Sequence, residues 1–131
     1  MTTPLSDEKF VSLTTFKRNG DPVAGPMWIV ADGARLAVWT PSDSWKVKRV
    51  RRDPRVTLTA CGRTGKIRAG QPVFEGTAEV RTDAAEVARV EKLVKEKYGW
   101  QFWVVMLIEA IGARRCQPRC VLHIAVSRDG R

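Results

Sequence analysis

Short runs of apolar and β-branched residues, separated by turn chemistry, dominate the chain up to about position 80. Residues 10–16 (FVSLTTF) are rich in β-branched and aromatic side chains and predict a strand. Asn19-Gly20-Asp21-Pro22 is a strong turn signal, residues 23–30 predict a second strand, and Asp32-Gly33 turns the chain into a third over 35–40. This opening reads as an antiparallel meander. Pro41-Ser42-Asp43-Ser44 is a polar turn able to cap a helix. Trp45–Arg52 (WKVKRVRR) then predicts a short, very basic helix, which stops before Asp53-Pro54 because the residue preceding proline resists the α conformation.

Further strands are predicted over 56–60 and 73–81, on either side of a glycine- and arginine-rich loop at 62–70. Gly76, inside the later strand, marks a bulge or a close backbone approach. Thr82 is expected to cap a helix with an acidic first turn and an apolar face of Val87, Val90 and Val94, ended by Gly99. Trp100–Ile111 (WQFWVVMLIEAI) is a dense apolar segment, either another helix or a surface covered by a partner. Residues 121–126 (VLHIAV) predict the last strand. Short, evenly spaced strands with helices inserted late predict a mainly β chain with minor α, folded as a partly closed barrel. No repeat or linker divides the sequence, so one domain over 1–131 is expected.

Composition narrows the possible functions. Apolar residues make up 44% and charged residues 28% of the 131, an ordinary globular balance that argues against disorder. No apolar run approaches the roughly 20 residues that cross a bilayer. The start of the chain carries Asp7 and Glu8 and no apolar signal core, so a cytoplasmic location is expected. The three cysteines, Cys61, Cys116 and Cys120, are read as reduced thiols. Cys116, Cys120 and His123 do not make a zinc site. A fourth ligand is missing, and in a strand Cys120 and His123 point to opposite faces. The net charge of +9 favours an anionic partner: nucleic acid, acidic lipid, or a phosphorylated or carboxylated small molecule.

Catalysis by side chains alone has little to work with. His123 is the only histidine and is read as structural, and no Ser-His-Asp or Cys-His set can be assembled. Phosphate loops of the Walker or GxGxxG kind are absent. An enzyme built on this sequence would depend on a bound cofactor. The sharpest chemical signal is Thr40-Pro41-Ser42-Asp43-Ser44-Trp45-Lys46 at a strand-to-helix passage. There, backbone N–H groups, a hydroxyl and an ammonium can converge on a phosphate or carboxylate. The bland alternative is a capped surface helix with solvated cations.

The order of the pieces adds to this. Gly20-x-Pro22-x-x-x-Pro26-x-Trp28, a strand ending Val38-Trp39-Thr40, the Ser44-x-Lys46 turn, Arg51-Arg52-Asp53-Pro54-Arg55-Val56 and Glu75-Gly76-Thr77-Ala78 follow one another. This resembles the pyridoxamine-phosphate-oxidase-like split-barrel flavoproteins, most of all their actinobacterial branch of deazaflavin (F420)-dependent reductases. The resemblance covers residues 10–81 and, more weakly, 121–126. It implies a split β-barrel with short inserted helices, a homodimer with two sites at the subunit boundary, and bound coenzyme F420 or, as the alternative, FMN. Thr40, Ser44, Trp45 and Lys46 fall on the family's phosphate-binding Thr…Ser-Arg-Lys segment. Trp45 replaces its arginine, which takes away one anion contact and offers a ring for stacking. Gly25, Pro26, Met27, Trp28 and Ile29 match the strand that runs along the ring system, Gly76 a glycine where backbone nears the cofactor, and Arg51 or Arg55 could reach an acidic tail. The usual N-terminal helix is shortened here. The arginine–histidine pattern that binds vitamin B6 substrates is not recognisable.

The implied function is hydride transfer between bound F420 and a small, planar, hydrophobic substrate, with Trp28, Trp39 and Trp45 excluding water. Two alternatives remain: a non-catalytic carrier of the same cofactor, and a basic barrel whose tryptophans stack nucleic-acid bases.

Overall fold

The computed structural model describes residues 5, 8–111 and 119–128. Seven strands form one antiparallel sheet: β1 (Val11–Phe16), β2 (Pro22–Met27), β3 (Val30–Asp32), β4 (Arg35–Pro41), β5 (Arg55–Ala60), β6 (Phe74–Arg81) and β7 (Arg119–Arg128). Helix α1 (Trp45–Arg52) joins β4 to β5, and α2 (Ala84–Tyr98) and α3 (Trp100–Ile111) lie between β6 and β7. The strand order is β2-β1-β5-β6-β7-β4-β3.

That order forces curvature. β2 and β3 sit at opposite edges of the sheet, yet only Trp28 and Ile29 separate them in sequence. Laid flat, the outer strands of such a sheet would lie roughly 29 Å apart. Three backbone steps reach at most about 11 Å. The sheet must therefore curl until its edges approach each other, and the result is a half-barrel.

Alternation along the strands gives the curled sheet two apolar faces. Leu36 and Val38 of β4 and Leu122 and Ile124 of β7 point inward, to a core shared with Val11, Leu58 and Phe74 and plugged by Val47 and Val50 of α1. Ala37 and Val121 point outward and are covered by Val90, Val94 and Tyr98 of α2 and Phe102 of α3.

The structure departs from the expected elements at three places, the first being the opening meander, which divides into two hairpins, β1–β2 and β3–β4, at opposite edges of the sheet. The strand expected over 23–30 is broken after Met27. The Ile29 N–H donates to the Tyr98 hydroxyl (2.9 Å), and the Ile29 carbonyl accepts from Lys97 Nζ (2.6 Å). Side chains from α2 thus take over the role of a neighbouring strand. The cap of α2 is Asp83, not Thr82, and it acts through its carbonyl, which accepts from the Val87 N–H. Gly99 ends α2 as expected, at a φ of 56° that only glycine adopts without strain.

Gly76 sits at a register shift between β6 and β7. A Cβ there would lie 2.9 Å from the Ala125 carbonyl oxygen and 3.2 Å from Ile124 Cγ2. The backbone that approaches Gly76 is therefore that of β7. We expect Gly76→Ala to cost about 1–3 kcal/mol, because the ladder itself must move to admit the methyl. Urea unfolding measures this, and an unshifted midpoint would show that the ladder gives way freely.

Candidate functional site

A cavity of about 350 Å³ opens where the end of β2, the end of β4 and the start of α1 meet α3. Pro26, Met27 and Trp28 form one wall and Trp39, Thr40 and Lys46 another. Phe102, Val105 and Met106 of α3 close a third side, and Phe10 and Arg119 also line it. Six residues singled out from the sequence are brought together here. Phe10, Arg119 and the three α3 residues are additions that the structure makes. The apolar character of Trp100–Ile111 is plain in the sequence, but nothing in that segment says which cavity it walls.

Thr40 and Lys46 give the cavity a polar end; Ser44, between them in sequence, is not among its lining residues. The α1 cap is Ser44, held in extended backbone by the turn in which its N–H donates to the Pro41 carbonyl. The Ser44 hydroxyl makes no capping bond. It is buried without a hydrogen-bond partner, as is the Thr40 hydroxyl. Buried hydroxyls are normally paired, so each of the two is open to a further partner. Lys46 adds a cation in the first turn of α1, where the helix dipole is already positive and no acidic side chain offsets it. Burial pushes its pKa below the ordinary lysine value, and the field of Arg49 pushes the same way. An arriving phosphate or carboxylate would relieve all of these costs.

The aromatic walls are anchored from behind. Trp28 stacks on Tyr98 with ring centroids 4.3 Å apart and planes 11° from parallel. Trp39 leans on Phe102, carries the Arg119 guanidinium 4.4 Å from its ring centroid, and has a buried indole N–H without a partner.

The remaining residues expected at the site lie elsewhere. Gly25 is on edge strand β2 with open space beside it, and Ile29 is buried in the barrel core. Trp45 is 68% exposed on the opposite flank of α1, with Lys48 Nζ 4.5 Å from its ring centroid. It lines an open cleft with Lys17, Arg18, Arg49 and Arg52. Arg55 is exposed and paired with Asp53 at 2.8 Å. Gly76 does not line the cavity. Arg51 lies outside the lining too, although its field reaches Cys120. Burial pushes the Cys120 thiol up, against a hydrogen bond with Ser42 and the fields of Arg51 and Lys46. Cys116 lies outside the described residues.

His123 faces outward, away from Cys120 in the barrel core. Its Nε2 lies 2.6 Å from Asp32 Oδ2. Arg89 of α2 donates to both Asp32 oxygens (2.5 and 2.9 Å) and to Glu86 (2.9 Å). The group has a metal-like composition, but a guanidinium occupies its centre of charge, so it clamps α2 to the sheet. The Arg89 hydrogen bond is the main reason the Asp32 carboxyl is held down to about 2, against burial and with help from His123. A depressed carboxyl contributes its stability above its ordinary value and loses it as pH falls through the folded one. We expect about 1–2 kcal/mol of stability to vanish between pH ~4 and ~2, discounted for the half-exposed Arg89. Urea unfolding across that range checks this. Asp32→Asn should flatten the slope, and equal slopes would remove the clamp from the account.

A curled antiparallel half-barrel with short inserted helices is a split β-barrel. Residues 1–128 match the pyridoxamine 5'-phosphate oxidase family model, and the chain belongs to that family. Three solved structures illustrate the shared fold. A conserved hypothetical protein from Mycobacterium tuberculosis is 23% identical, with a TM-score of 0.71 over 95% of this chain and 77% of the other. An F420 reductase is 14% identical, with a TM-score of 0.64 over 98% and 95%. The heme storage protein HutZ from Vibrio cholerae is 13% identical, with a TM-score of 0.67 over 92% and 83%. No curated protein sequence matches the chain. No described helix is long and apolar enough to cross a membrane.

Proposed function

We propose that this single-domain chain is an oxidoreductase that binds coenzyme F420, with FMN as the weaker alternative, and acts on a small, planar, hydrophobic substrate. The observation that carries this reading is the pair of buried, unpartnered hydroxyls of Thr40 and Ser44 beside Lys46. Those three groups fit the cofactor's phosphate. Pro26, Met27, Trp28 and Trp39 fit its flat ring system. When bound, such a cofactor supplies hydride chemistry, and the protein supplies orientation and a dry, positive surround. The apolar side chains of α3 would exclude water from the ring's open side. The net charge of +9 favours F420 over FMN, because the deazaflavin tail adds carboxylates to the phosphate.

The heme reading suggested by two fold relatives meets an obstacle. The only histidine, His123, is bound to Asp32 on the outer face and does not line the cavity. A homodimer goes with the proposal, since β2 is an unpaired edge whose Gly25 leaves room for another chain. So does a cytoplasmic location, in keeping with the free thiols of Cys61 and Cys120.

Fluorescence titration with F420 and FMN side by side tests the proposal, with tighter binding of F420 expected. Binding of neither would end it. Turnover with reduced cofactor and a panel of quinones, unsaturated lactones and tetrapyrroles separates an enzyme from a carrier. The exposed Trp45 among Lys17, Arg18, Lys48, Arg49 and Arg52 favours a second reading, single-stranded nucleic acid. It predicts oligonucleotide affinity that falls steeply with salt, together with no selective uptake of either cofactor.

A further inference from the structure

Cations that the cavity does not use gather on the other flank of α1, in an open cleft of about 660 Å³ lined by Lys17, Arg18, Trp45, Lys48, Arg49 and Arg52. The backbone that carries them is tied down. The Lys17 N–H donates to the Asp21 carbonyl (2.9 Å) and the Gly20 N–H to the Lys17 carbonyl (2.8 Å), which closes the turn between β1 and β2. Arg52 Nη2 donates to the Phe16 carbonyl (2.6 Å) and Arg49 Nη1 to Thr15 Oγ1 (3.4 Å), so both guanidinium groups span from α1 to the end of β1. These acceptors are neutral and leave the charge uncompensated. Among the described residues no carboxylate pairs with any of the five cations. Of the acids nearest in sequence, Asp21 and Asp43 do not line the cleft, and Asp53 is held by Arg55. Lys48 Nζ stands 4.5 Å from the Trp45 ring centroid, and Trp45 is otherwise open to solvent at 68% exposure.

We propose that this cleft binds a nucleoside polyphosphate, whose base stacks on Trp45 while its phosphates meet the five surrounding cations. Charge calls for a polyanion, and the exposed indole calls for a planar ring within a few ångströms of it. A chain of carboxylates would meet the cations but has no ring to offer Trp45. A single strand of nucleic acid is held by a row of stacking rings, whereas Trp45 is the one aromatic that lines this cleft. A nucleoside polyphosphate carries one ring and several charges, and the cleft has the volume of an ordinary small-molecule site. The inference does not rest on the cofactor reading, because none of the six residues lines the cavity at the end of β4.

The test is calorimetric titration of the full chain with ATP and with its two halves, adenosine and inorganic tripolyphosphate, followed also by tryptophan emission. ATP is expected to bind more tightly than either half and to quench the emission. Trp45→Ala should lower the ATP affinity about tenfold or more and leave tripolyphosphate unchanged. Arg18→Glu with Lys48→Glu should weaken both, and it spares the two arginines that tie α1 to β1. All three side chains are exposed, so the far-UV circular dichroism should stay the same. ATP that binds no better than tripolyphosphate, or equally well to Trp45→Ala, overturns the proposal and leaves the cations as a diffuse field. Oligothymidylate that binds more tightly than ATP, with affinity growing along its length, overturns it in favour of a single strand. Displacement of ATP by F420 but not by FMN overturns it in favour of the cofactor's acidic tail. Titration of both cofactors into the same samples keeps the ideas apart: cofactor binding without ATP binding sinks the nucleotide site alone, and the reverse sinks the cofactor reading alone.

Discussion

Replacing Tyr98 by alanine is expected to lower the unfolding free energy by about 3–5 kcal/mol, the range that follows from emptying a buried aromatic site. Tyr98 is 4% exposed at the end of α2 and ties three pieces of the fold together. Its ring stacks on Trp28. Its hydroxyl accepts from the Ile29 N–H at 2.9 Å and donates to the Lys9 carbonyl at 2.7 Å. Truncation leaves a cavity beneath the Trp28 wall and strips a buried N–H of its acceptor at the crossing from β2 to β3. Tyr98→Phe keeps the ring and isolates the hydroxyl, so it should cost about 1–3 kcal/mol. Burial pushes the phenol up to about 12. A raised value of this kind gives stability that is complete below the ordinary tyrosine range, near 10, and is lost as pH rises through 12. The wild-type chain should therefore weaken between about pH 10 and 12, and the phenylalanine variant should lack that component. Urea unfolding of the three proteins decides the matter; a loss below about 1 kcal/mol for Tyr98→Ala would mean that the crossing is held by something else.

The crossing also shows what can be read in the sequence. Strands, turns and helices follow from local pattern, because each is decided by residues a few positions apart. Trp45–Arg52 and Trp100–Ile111 have the same bounds in the structure as in the sequence. The break at Trp28 and Ile29 does not follow. Nothing nearby causes it, since the partners of Ile29 lie 68 and 69 positions away on α2. The same division holds at the cavity. Thr40 and Lys46 both line it, and their nearness is legible because only a short turn separates them, while Ser44 in that turn is not among the lining residues. Trp45, between two of them, points the other way, because successive residues on a helix diverge by about 100° and Val47 must face the core. Arg55 is captured by a carboxylate two residues back, a local pair that the run of cations obscures. The α3 wall depends on a tertiary contact that no periodicity reveals.

Lys46→Ala is expected to weaken cofactor binding by about 1.5–3 kcal/mol, roughly 10- to 150-fold, while leaving the cofactor-free protein as stable as before or more so. The two effects have opposite signs for one reason. In the free chain the ammonium is partly buried beside a positive helix end, and its pKa is lowered. A lysine with a depressed folded value adds no stability at neutral pH. It costs stability there, and the cost fades as pH rises from the lowered folded value to the ordinary lysine value. An anion at the Lys46 ammonium reverses the balance, because it pairs with a charge the fold has already buried. Lys48→Ala is the control. That side chain lies on the exposed flank of α1 over Trp45, where solvent screens its field, and its loss should change affinity by less than about 1 kcal/mol. Titration of F420 into both variants, with thermal melts of the free proteins, reads out all four quantities. If both variants lose affinity equally, the cation surplus acts only as a diffuse field. If Lys46→Ala binds like wild type, the turn between β4 and α1 is not where the phosphate sits.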